Sequence, residues 1–303
     1  MLILQLFSQL LPLLAAGYLT ARFKPGLSSH IAPLLINFGI PISLMGLLLK
    51  SGFDWMLFQA LAMACLAIGS LIAVIRISPN LRSHIGTRSL LLGSAFGNTG
   101  YFGIPVSVAL LPSEALNFSI GYDLGATLIV WSLGPILFTK SSSELKGISA
   151  WKYLLALLTS SPASKGLIGA VLIQLTPWSH QITAALSFPS QVVITLALMI
   201  VGMRLGQLDF IGNLSCINFR TLVKPSLLLK LVIFPALMLA LSMVFSLPTL
   251  MCKALVLQAA TPTAISVFLL AEASGQEQEI AASLVAFSTL IALFTVPIWF
   301  FIL

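Results

Sequence analysis

The sequence predicts an all-α integral membrane protein of ten transmembrane helices, arranged as two inverted five-helix repeats. Three observations lead there: a chain too apolar for water, ten long apolar runs, and helix breakers at matching positions in the two halves. Of the 303 residues, 58% are hydrophobic and 8% charged, where a soluble domain carries about 25% charged residues. Lipid is therefore the solvent for most of the chain. Long continuous apolar runs, rather than ten-residue alternating ones, exclude a β-barrel.

Apolar runs of about 17–25 residues can cross the bilayer as helices. The first run, 2–21, lacks a basic n-region and an A-x-A site, so it reads as a retained span and not a signal peptide. Span two (31–49) carries FGIPISLMGLLL with Pro41, and span three (55–76) is apolar throughout. Span four (88–111) contains GNTGYFGIP at 97–105, three glycines and a proline within nine residues of hydrophobic sequence. Span five is 120–139, and a polar connection begins with KSSSELKG at Lys140. The following WKYLLALLTSSP is too short to span; it reads as a segment on the inner membrane surface or as an extension of span six. Spans six (163–178), seven (182–204, with Pro189), eight (221–246), nine (252–273) and ten (280–302) complete the set.

Of the 15 lysines and arginines, twelve, from Arg22 to Lys224, fall on one side if the N-terminus is outside. Lys50 and Lys253 fall on the other side, and Lys230 lies within span eight. This positive-inside bias places both termini outside a cell (plasma or inner) membrane. It also accounts for the net charge of +7 without nucleic acid. The three cysteines are scattered without CxxC spacing and read as small core residues. His30, His84 and His180 are far apart in or beside loops, so no metal site is expected.

An odd number of spans per half forces the second half (148–303) to insert upside down relative to the first (1–147, including the central connection). Gly97 lies nine residues past Arg88 in span four, and Pro262 nine past Lys253 in span nine. Matched breakers of this kind are the sequence pointer to a transporter's binding site. Unwound backbone survives in hydrocarbon only when buried in protein or facing a wet cavity. Helix N-termini at such a break suit an anion, C-termini a cation.

GNTGYFGIP, TPTAISVFLLAEASG and SLVAFSTLIALFTVPIWF together resemble the auxin efflux carrier family, within the bile-acid/arsenite transporter superfamily. The resemblance covers essentially the whole chain. It implies that helices 4 and 9 are broken and cross at the midplane, at the substrate site. It also implies a scaffold of spans one, two, six and seven, often homodimeric, with the remaining spans as a moving domain. The family's first crossover motif falls on Gly97, Asn98 and Thr99, with Gly97 where plant members have proline. The second falls on Pro262 and Thr263. The ionisable pair that plant members carry in span three is absent between Trp55 and Ile75.

The candidate substrate-binding residues are Gly97, Asn98, Thr99, Gly100, Gln258, Thr261, Pro262 and Thr263. Asn98 leads them, as a cargo or ion contact or as an interhelical hydrogen bond. The threonines either contact cargo or bond back to their own helices. Lys230 is a candidate for coupling or charge sensing, or else snorkels to the cytoplasmic interface. Asp123, read as near the outer end of span five, is a second coupling candidate or an interfacial residue in water. Glu272, Glu277 and Glu279 read as solvated loop charges, and no acid is expected near either break.

The expected function is secondary transport of a small organic anion, such as a carboxylate, by alternating access. No cofactor is expected. The sequence has no P-loop, so an ion or cargo gradient drives flux, with H+ favoured over Na+ as the coupling ion. The alternatives are a sodium-coupled bile-acid-type symporter and a non-transporting sensor of the same fold. An intramembrane enzyme is not expected, because paired aspartates, a Ser/His pair and an HExxH helix are all missing from the spans.

Overall fold

Every one of the ten apolar runs contains helix in the computed structural model of the chain, which describes residues 2–138, 162–208 and 223–303. Thirteen helices occur among these described residues. They are α1 (Leu2–Phe23), α2 (27–51), α3 (Trp55–Ile77), α4 (Pro79–His84), α5 (Arg88–Ala95) and α6 (Thr99–Leu110). Then follow α7 (Ala115–Phe138), α8 (Pro162–Gln174), α9 (Ser179–Leu208) and α10 (Lys224–Val244). The last three are α11 (Thr249–Ala259), α12 (Ile265–Ser274) and α13 (Gln278–Ile302).

Six stretches are long and apolar enough to cross a membrane as single helices: Leu27–Lys50, Trp55–Ile77, Ser113–Phe138, Ser179–Met203, Lys224–Val244 and Gln278–Ile302. Expected spans four and nine are each two short helices, α5 with α6 and α11 with α12, while span six is the 13-residue α8. Most of the central connection and of WKYLLALLTSSP lies outside the described residues, as do Lys140, Lys146, Lys152, Arg220 and Cys216.

Span five starts earlier than the hydropathy suggests. Its helix begins at Ala115 and not near 120, because the buried polar Asn117 interrupts the apolar run without interrupting the helix. Asp123 therefore sits two turns inside α7, not at its end.

Three wide turns with i→i+5 bonding occur among the described residues, at Leu35–Gly39, Thr99–Gly103 and Leu229–Ile233. Each is followed two residues later by a proline: Pro41, Pro105 and Pro235. Proline cannot donate to the carbonyl four residues back, and its ring crowds that carbonyl. The turn before it widens instead: Ile40 N donates to Leu35 O, Ile104 N to Thr99 O and Phe234 N to Leu229 O. Such π-turns shift the helix face that follows and often accompany functional sites.

The helices sort into two groups by packing. α1 packs chiefly on α9, and α2 on α8 and α9. In the other group α3 packs on α7, α11 on α7 and α10, and α12 on α13. Close approach within each group needs residues without a side chain. Gly17 faces the Met199 carbonyl between α1 and α9, and Gly121 faces the Leu57 carbonyl between α7 and α3. A Cβ at either would collide with backbone, the small-residue contact expected where lipid supplies no hydrophobic drive between helices. The largest buried cluster draws almost entirely on the second group, from Ala60 in α3 to Val296 in α13.

Candidate functional site

The two non-helical segments pair with each other. Between α5 and α6 the chain is extended at Phe96, and between α11 and α12 it is non-helical over 261–264. Asn98 N donates to Pro262 O at 2.7 Å and Ala264 N to Phe96 O at 3.0 Å, forming an antiparallel bridge centred on Gly97 and Thr263. Two backbone donors and two acceptors are thereby satisfied away from water, where each would otherwise cost several kcal/mol. Pro262 fits because its carbonyl, and not its missing N–H, enters the bridge. The Thr263 N–H points the other way and donates to Ser288 Oγ at 2.9 Å.

The C-terminal ends of α5 and α11 are closed by side chains. Thr263 Oγ1 donates to Gly93 O at 2.9 Å, and Thr261 Oγ1 to Gln258 O at 2.7 Å. Lys230 Nζ donates to Ala259 O at 2.6 Å. These bonds take carbonyls that a helix end leaves unpaired. Gln258 Nε2 reaches Ser107 Oγ at 3.2 Å, and its Oε1 is buried beside Gly103 with no partner.

The N-terminal ends of α6 and α12 border a cleft of about 80 Å³, room for a few waters or a small polar group. Gly97, Asn98, Thr99 and Gly100 line it from the first segment, and Ala264, Ile265 and Ser266 from the second. The walls are apolar, with Phe96, Tyr101 and Trp131 among them, and α2 contributes Ile40 and Leu44. The cleft thus lies at the junction of the two helix groups. Asn98 is 4% exposed, and its side-chain amide has no partner among the described residues.

Asp123 lies in the wall of the same cleft, 4% exposed, with its carboxylate against Gly100 at the start of α6. Thr99 Oγ1 donates to its Oδ1. An acid does therefore lie beside the first break, contrary to the sequence-based expectation, and Asp123 is not an interfacial residue in water. No lysine, arginine or histidine lines the cleft. A buried carboxylate without a cation is costly unless it is hydrogen-bonded or protonated.

Of the other sequence candidates, Gln258, Thr261, Pro262 and Thr263 are assembled at the break but do not line the cleft. Thr263 bonds to the other half of the break rather than back into its own helix. Lys230 is fully buried, with Nζ 4.8 Å from the Phe234 ring centre, and does not snorkel to an interface. Glu277 is not a purely solvated loop charge: it accepts from Ser89 N at 2.7 Å and Arg88 N at 3.4 Å, capping the start of α5. Sequence reasoning missed Trp131, Tyr101, Thr127 and Ser266 in the cleft. Ser266 belongs to the quoted TPTAISVFLLAEASG stretch, whereas Trp131 carries no local signal. No cluster suited to a metal ion occurs among the described residues.

Residues 3–300 match the model of a family described as membrane transport protein. The chain belongs to that family, the auxin efflux carrier family. The chain is also similar to an uncharacterized transporter of Methanothermobacter thermautotrophicus (strain Delta H), 26% identical over 222 residues. The alignment covers 70% of this chain and 67% of that one. The family member described above is thus a multi-pass integral membrane protein, and its family is one of transporters rather than enzymes.

Proposed function

We propose that the chain is a secondary transporter carrying a small organic anion, in the first place a carboxylate, by alternating access. The observation that carries this reading is the paired break, which sets two helix N-termini and the unpartnered Asn98 amide on one cleft. Helix N-termini carry a partial positive charge and free amides suited to an anion. In this reading the halves 1–147 and 148–303 are inverted repeats, the two breaks cross at the membrane midplane, and both termini face outside. The group α1, α2, α8 and α9 serves as scaffold and homodimer surface. The remaining helices move against it, with the cleft at their junction.

Asp123 gives the coupling a place. A carboxylate beside the anion's seat repels cargo when ionised and accepts a proton more readily when cargo is bound, so proton and anion travel together. This favours H+ over Na+ as coupling ion. The sodium-coupled alternative draws on the same Asp123 and Asn98 oxygens, and strict sodium dependence of flux would establish it.

Counterflow of labelled carboxylates in proteoliposomes tests the reading. Preloaded vesicles should accumulate at least one acid in exchange, with flux persisting when choline replaces sodium. Absence of counterflow across mono- and dicarboxylates would favour a non-transporting sensor.

A further inference from the structure

Lys230 is the one buried cation among the described residues, and it lies outside the cargo cleft. Its π-turn turns Leu229, Lys230 and Leu231 all inward, and Lys230 has no exposed surface. It makes no ion pair among the described residues. Nζ instead donates to Ala259 O, the last residue of α11, and lies over the Phe234 ring. Behind it stands Gly97, where a Cβ would come within 3.0 Å of Nζ and collide with Thr261 Oγ1.

The end of α11 concentrates unpaired carbonyls and about half a negative charge. In broken transporter helices such C-terminal ends are where free cations are coordinated. Here Val256 O is taken by Ala260 N, Gln258 O by Thr261, and Ala259 O by Lys230. A helix-end carbonyl and an aromatic face on one positive group, with no ion pair to it among the described residues, resemble the environment of a bound cation rather than of an ion pair.

We propose that the Lys230 ammonium is a resident cation, tethered by its own side chain in a pocket at the C-terminal end of α11 that would otherwise hold a free monovalent cation. Gly97 is its counterpart, since any side chain there would occupy the same space. Two consequences follow. The break needs no sodium to be stable in this chain, and truncating Lys230 creates a site for a small cation. Neither depends on what the cleft carries, so the proposal stands or falls separately from the transport reading.

The test is thermal unfolding of purified protein in detergent, with choline as the background cation. Wild type should show no saturable response to methylammonium or sodium. Lys230→Ala should unfold at lower temperature in choline and regain several degrees, saturably, with methylammonium or sodium. Lys230→Met fills the space without charge and should gain nothing from either cation. A Lys230→Ala protein no more responsive to methylammonium or sodium than wild type would overturn the proposal, whether or not sodium also binds at the cleft. If Lys230→Ala cannot be isolated in choline, purification in methylammonium should recover it. Failure there too, while Lys230→Met remains folded, counts against a cation site.

Discussion

The two sides of the paired break are built oppositely from the same short segments. On one side the C-terminal ends of α5 and α11 are sealed by Thr263, Thr261 and Lys230. On the other, the N-terminal ends of α6 and α12 face a cleft with an unpartnered amide at Asn98 and a lone carboxylate at Asp123. A break in a membrane helix exposes both donors and acceptors, and this molecule spends its own side chains on the acceptors. What it leaves open is the donor end, where a helix terminus favours negative charge. The closed side holds the structure, and the open side is free to bind.

Substitutions on each side should then fail in different ways. The largest effect is expected at Gly97, where the sides meet. Gly97→Ala drives a Cβ into Thr261 Oγ1 and against Lys230, overpacking that costs about 1–3 kcal/mol or more. Most of the monodisperse protein should disappear from a detergent extract on size exclusion; an undiminished peak would show that the closed side has slack. Asp123→Asn, on the open side, should leave that peak intact and remove the response of uptake to an imposed pH gradient. Uptake that still follows the gradient would take the proton away from Asp123. Thr263→Val leaves the buried Gly93 carbonyl without its hydroxyl donor, a loss of about 1–3 kcal/mol, read as a lower unfolding temperature. The smallest effect is expected at Glu277→Gln, which removes the charge from the cap on α5 and costs roughly 0.3–1 kcal/mol. A large loss of stability there would give the α12–α13 turn a greater role than capping.

Most of the helices were legible because lipid demands long apolar runs, and the two non-helical segments were legible because Gly97 and Pro262 are poor helix formers. Where reasoning fell short, the cause was specific. A buried polar residue, Asn117, hid the true start of α7 and with it the depth of Asp123. The prolines after the π-turns were more informative than their helix-breaking role suggests, since Pro235 is what turns Lys230 inward and Pro105 shapes the start of α6. The division of labour among the threonines was not readable. Thr99, Thr261 and Thr263 are alike in sequence, and only the three-dimensional pairing of the segments puts one in the cleft and two on helix ends. Trp131 reaches the cleft from α7 by tertiary packing alone.

The central claim is that the open side is the cargo seat, and Asn98 tests it most directly. Once an exchanged acid is known, its counterflow should be compared between wild type and Asn98→Ala reconstituted at equal folded density. Losing one hydrogen bond to a charged group, about 1.5–3 kcal/mol, should raise the half-saturating concentration roughly tenfold or more, with the unfolding temperature unchanged. Wild-type half-saturation and rate in Asn98→Ala would contradict the assignment and move the seat away from the break.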